Sequence, residues 1–221
     1  MNAINEHNHS SVVPYENIIM PNVELPINFI EHNYGSEGPF CILHWHNEIE
    51  MVYVKEGTIS VAYGSRTVKV EPGGLVFINS NEPHGYSVEK APIVLYCCTF
   101  DPILLQGRYA TSYDSKFIEP DKSVTVFNNL ITDDSKLIDL FLSMWDEGCE
   151  RAQGYEYAIK SNLFAIMAHM VRHHIHHTID NRKHHKINRN LSNINKVIQY
   201  MEKNYKKDIS LDELADYSSF N

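Results

Sequence analysis

His44 and His46 stand two residues apart, and Glu50 follows four residues after His46. Two neutral imidazoles with a carboxylate are a common inner shell for a divalent transition metal. Imidazole nitrogen suits Zn, Ni and Fe, and carboxylate oxygen suits Mn. His84 is a fourth candidate, in the run GGLVFINSNEPHGYS. A single histidine or glutamate on a strand is ordinarily solvated or hydrogen-bonded. Four at set spacing point to one interior site. Such a set can hold one divalent ion, hydrogen-bond a small polar ligand, or satisfy itself.

The elements that position these groups are expected to be strands. Extended chain places residues i and i+2 on one face. A strand over 40–46 then puts Phe40, Ile42, His44 and His46 on one side, and the next strand adds Glu50 and Val52. With His84 and Tyr86 from a later strand, these eight residues are the expected wall of a ligand pocket. Glu48 falls in the turn between the first two strands and is not counted as a ligand. Segments 58–63 and 66–70, joined across Gly64-Ser65, have the signature of a hairpin. Glu71-Pro72-Gly73-Gly74 marks another turn, and strands follow over 75–78 and 93–100. Short strands at this spacing suit an all-β barrel or sandwich.

From Ser135 the period changes. Leu137, Ile138, Phe141, Met144 and Trp145 recur at helical spacing, with Gly148 as the expected stop. Ile159, Leu163, Ile166, Met167, Met170 and Val171 give a second helix from about Tyr155. A short connection makes the two an antiparallel pair. Their stripes look wide enough to serve a homodimer interface as well as the barrel. His169, His173, His176 and His177 follow, and 169/173 and 173/177 have the i, i+4 spacing of a chelating pair. With no nearby carboxylate or cysteine in sequence, they are expected to form a solvated, weakly cationic stretch.

The 221 residues carry a net charge of −9, but residues 181–207 hold eight basic side chains and one acidic. Any polyanion contact is therefore expected near the C-terminus. The four cysteines have no zinc-ligand spacing. There is no signal-peptide pattern and no apolar run long enough to span a membrane, so the expectation is a cytoplasmic protein with reduced thiols. Ser210-Leu-Asp-Glu213 is a capping box opening a last helix, whose buried side is expected to be Leu211, Leu214 and Ala215.

Gly38, His44, His46, Glu50 and Gly57 resemble the first cupin motif at every marked position. Gly73 and His84 match the second, in which Asn79 and Asn81 replace the usual Pro and Gly. The resemblance implies a jelly-roll β-barrel in which His44, His46, Glu50 and His84 converge as metal or effector ligands. INKVIQYMEKNYKKDISLDELADYSSF resembles the start of the DNA-binding domain of AraC/XylS regulators. The resemblance implies a flexible arm over 1–26, a cupin effector barrel over 27–130 and a dimerisation helix pair over 131–178. A basic linker over 179–190 and an incomplete helix-turn-helix domain over 191–221 complete the expected order. The chain is then not an enzyme. It is the sensing and dimerising part of a bacterial-type transcription regulator, binding a small polar effector and reaching DNA through the full-length protein. The alternative is a metal-dependent dioxygenase or isomerase using three histidines and one glutamate.

Overall fold

The computed structural model describes residues 13–64, 66–105, 123–180, 197, 200, 201, 204 and 207–218. Among the described residues, eight strands precede two long helices. In chain order they are β1 (Ile27–Tyr34), β2 (Gly38–His44), β3 (Ile49–Tyr63), β4 (Arg66–Val70), β5 (Leu75–Ile78), β6 (His84–Phe100), β7 (Ser123–Phe127) and β8 (Leu130–Ile131). The helices α1 (Ser135–Glu150) and α2 (Tyr155–His173) follow, then β9 (Ile175–Asp180) and α3 (Leu211–Ser218). The structure is mainly β with a few helices, as expected.

β3 and β6 are the frame. They pair antiparallel from Ile49↔Phe100 to Tyr63↔His84, with register shifts between Val54 and Ile59. Gly57 sits in that irregularity at φ 77°, and a Cβ there would lie 2.3 Å from the Pro92 carbonyl oxygen. Only glycine fits such a close backbone approach. Bulges bend strands, and each strand here serves two sets of neighbours. The first half of β3 pairs with β5, and the second with β4. The last half of β6 pairs with β1, and the first with β2. Val52, Val54, Leu95 and Cys97 from one half join Ile59, Val61, Tyr86 and Val88 from the other in a single buried cluster. That cluster is the barrel interior.

The opposite face of the β1–β6–β3–β5 layer carries Met51, Leu75, Phe77, Cys98 and Phe100, which pack on the helices. Asp134 pairs with His169 and Ser143 with Asn162, so α1 and α2 run antiparallel. Asp134 caps α1, its Oδ1 accepting the Leu137 N–H at 3.0 Å. Gly148 does not stop this helix. It lies buried one turn inside the end, where a Cβ would come 2.5 Å from the Phe29 ring. Arg151, in the left-handed region at φ 52°, ends it instead.

Three further expectations change. Residues 13–16 are no free arm: Glu16 donates its N–H to the Trp45 carbonyl at 2.9 Å and Trp45 donates to Pro14 at 3.0 Å. The chain after α2 is β9, paired with β7 as a separate ribbon as far as Asp180, where helix and linker are expected. On α3, the Glu213 N–H donates to Ser210 Oγ as the capping box requires, but Leu211 is 84 % exposed rather than buried. Most of the start of the expected 191–221 domain, and the linker residues after 180, lie outside the described residues; 197, 200, 201 and 204 are helical.

Candidate ligand and metal site

β2 ends at His44 and β6 begins at His84, and the two residues are register partners. His46 follows β2 across Trp45, and Glu50 lies on β3 opposite Thr99 and Ile78. The rings of His44 and His84 lie 4.3 Å apart by centroid, and those of His46 and His84 lie 4.9 Å apart. One ring nitrogen from each of His44, His46 and His84 falls within 4.8 Å of the others. Glu50 Oε2 approaches His46 Nε2 at 3.3 Å and His84 Nε2 at 3.8 Å. All four side chains are buried.

The proton arrangement follows from the backbone. His44 Nδ1 faces the Ile42 carbonyl at 2.9 Å, His84 Nδ1 faces the Glu82 carbonyl at 2.8 Å, and His46 Nδ1 faces the Glu48 carbonyl at 3.2 Å. A carbonyl only accepts, so these partners assign the ring proton to Nδ1 in all three. Each Nε2 is then a bare lone pair. His46 Nε2 faces a carboxylate oxygen of Glu50, and His44 Nε2 faces Glu16 Oε2 at 3.0 Å. His84 Nε2 is buried with no hydrogen-bond partner. Lone pairs and carboxylates converging without protons between them call for a cation, either a proton or a metal ion. Backbone carbonyls on the far nitrogens are also the outer contacts that orient metal-ligating histidines. The residues fit a divalent ion.

The electrostatics agree. Burial lowers the proton affinity of His84, but Glu50 outweighs it and the net shift is upward. Burial and the neighbouring His84 push His44 down. Burial raises Glu50, yet the facing His46 and His84 rings outweigh it once a proton is shared with them, and the carboxyl is held well below the usual carboxylate range. Tyr86 donates its hydroxyl to Glu50 Oε1 at 2.6 Å, and burial followed by the Glu50 charge drives the phenol well up. Burial also pushes the Cys41 thiol up to about 12.

A cavity of about 200 Å³ opens beside this centre. Of the expected wall, Phe40, His44, Glu50, Val52 and Tyr86 line it. His46 and His84 stand behind, in the polar centre. Ile42 does not belong: it is 74 % exposed. Register slips between Pro39 and Cys41 and again between Cys41 and His44, so strict alternation fails there and Cys41 takes a lining place. Strand parity on β6 could have found Leu95, Cys97 and Thr99, and parity on β1 could have found Ile30, His32 and Tyr34. Glu16 gave no local signal.

A second cluster appears where none was expected. His169 Nε2 and His174 Nε2 reach Asp134 Oδ2 at 2.6 and 2.7 Å. The carboxylate thought missing near these histidines comes from the α1 cap. Burial raises Asp134, but hydrogen bonds from His174 and His169 outweigh it and hold the carboxyl far below its ordinary value.

The family model described as AraC-like ligand binding domain matches residues 29–167. Among solved structures the chain is similar to oxalate decarboxylase from Bacillus subtilis at pH 4.6, with 19 % identity, 36 % of this chain and 22 % of that chain covered, and a TM-score of 0.33. A second structure of that enzyme, concerned with its Mn(II) centres, matches at the same identity, coverage and TM-score. The chain thus spans about a fifth of the length of these solved chains. No curated protein matches.

Proposed function

The chain belongs to the AraC-like ligand binding domain family, and from that premise we propose that its barrel senses a small polar effector for a transcription regulator. The observation that carries this is the cavity itself: aromatic and aliphatic walls around one buried polar centre. At about 200 Å³ it is smaller than the roughly 300 Å³ at which drug-sized pockets begin. Glu16 and Glu50 face it, and among the described residues no lysine or arginine lines it. Two carboxylates favour a ligand rich in hydroxyl or amine donors and oppose a phosphate or carboxylate. His44, His46, His84 and Glu50 would hold a divalent ion, which when bound would supply a Lewis-acidic contact for a ligand oxygen.

The test is thermal unfolding with small polyols, amines and carboxylates, on wild type and Glu50→Gln. A ligand at a hundred times its Kd adds about 2.7 kcal/mol of stability. We expect a polyol or amine to stabilise wild type and to lose most of that effect in the variant. Stabilisation by carboxylates alone would overturn the reading.

The convergent Nε2 lone pairs favour one rival, a metal-dependent enzyme. Purified protein with stoichiometric iron or manganese and turnover of a small oxygenated substrate would establish it. DNA contact we assign to a helix-turn-helix domain of which α3 is one helix.

The homodimer also belongs to this reading, but on changed ground. Leu137, Phe141, Met144, Trp145, Leu163, Met167 and Met170, expected to supply surplus apolar surface, are all buried within one chain. What α2 leaves outside is Tyr157, 82 % exposed, and Phe164, 49 % exposed, seven residues apart on one side. Light scattering of Phe164→Glu tests this: the variant should run as a monomer. Leu163→Glu and Met167→Glu should instead unfold the chain.

A further inference from the structure

We propose that Asp134, His169 and His174 form a second binding site, for one divalent transition ion of the Zn²⁺ type. The inference does not rest on the sensor reading. The donors come from three separate points: the N-cap of α1, the turn before the last of α2 and the residue that caps α2. One ligand atom of each lies within 4.8 Å of the others. Both imidazoles present Nε2 to a single oxygen, Oδ2, while Oδ1 is held by the Leu137 N–H. A ligating carboxylate whose other oxygen is fixed by a backbone donor is already oriented for metal.

Two nitrogens and one oxygen suit Zn²⁺, with water in the fourth tetrahedral position. Tetrahedral ligands at about 2.0–2.1 Å from zinc lie about 3.3 Å from one another. The present 2.6 and 2.7 Å separations must therefore open by about 0.6 Å. The side chains are 11–17 % exposed, so the imidazoles can turn outward and an ion can enter. Binding would shift each ring proton from Nε2 to Nδ1, or release it to solvent where the ring is doubly protonated, so that both Nε2 atoms offer lone pairs to the ion. The His174 carbonyl also accepts the Asn128 N–H at 2.8 Å, just beyond β7. The ion would thus clamp α1, α2 and the β7–β9 ribbon at one point, where the chain leaves the helix pair.

The test uses the full chain after chelator dialysis, titrated with Zn²⁺ and, for its visible absorption, Co²⁺. Asp134→Asn keeps a good helix cap and removes the anionic ligand; His174→Gln is the second variant. Each should lose about one ion per chain and weaken that site about a hundredfold or more, since even outer contacts cost 10–100-fold. His46→Ala in the barrel should leave this ion bound. The proposal is overturned if both variants bind as many ions as wild type, or if wild type binds no ion outside the barrel.

Discussion

Two histidine–carboxylate clusters lie among the described residues, and they differ in where the protons sit. In the barrel the far nitrogen of each histidine is tied to a carbonyl, leaving Nε2 bare toward Glu50 at 3.3 and 3.8 Å. At the helix ends both Nε2 atoms meet Asp134 at 2.6 and 2.7 Å, the length of charge-assisted hydrogen bonds. The inner cluster is geometrically incomplete and buried; the outer is satisfied and partly wet. Equal residue types therefore do not imply equal roles. A buried centre with an orphaned nitrogen calls for an occupant, whereas a satisfied surface triad holds elements together until an ion takes the place of its hydrogen bonds.

The sharpest way to break this contrast is His46→Ala. It removes an imidazole that shares a proton or metal ion with the buried Glu50 carboxylate, a kind of loss that costs about 3–5 kcal/mol. Urea unfolding measures it, and a cost below about 1 kcal/mol would mean that Glu50 has no need of its histidines. Tyr86→Phe removes the 2.6 Å bond to Glu50 Oε1 and should cost about 1.5–3 kcal/mol, the range for bonds to charged groups. His169→Ala, at the outer cluster, should cost only about 1 kcal/mol, because water replaces the lost donor. If it matches His46→Ala, the distinction by burial fails. The smallest effect belongs to Ile42→Ser, within about 0.5 kcal/mol of wild type and without influence on ligand binding. A large loss of binding there would restore Ile42 to the pocket.

Much of the barrel was legible because its signals are local. Gly64 marks the hairpin between β3 and β4, and Gly73-Gly74 the turn before β5. Leu137, Phe141 and Leu163 mark the helix faces, all now buried. The histidines and Glu50 were found by spacing. What escaped depends on chain brought from afar. Glu16 reaches His44 from the N-terminal segment, and Asp134 reaches His169 and His174 across the helix pair. His174 itself was passed over, because i, i+4 spacing selects 169, 173 and 177 while the turn at the end of α2 selects its own cap. Ile42 was misplaced by bulges, which alternation cannot foresee.

Along β3, Glu50 and Val52 face the cavity, while Met51 between them packs on the other side with Phe141 and Leu163 in one apolar cluster. On β6, Cys97 and Thr99 likewise face the cavity while Cys98 belongs to that cluster. Cavity and helices thus share a partition a single sheet thick. Neighbouring Cα atoms are fixed 3.8 Å apart by covalent geometry, so a strand cannot shift on one side of the partition and stay still on the other. Whatever presses on Val52 is felt by Met51 without an intermediary, and the helix pair rests on the far side of that wall like a stylus on a diaphragm.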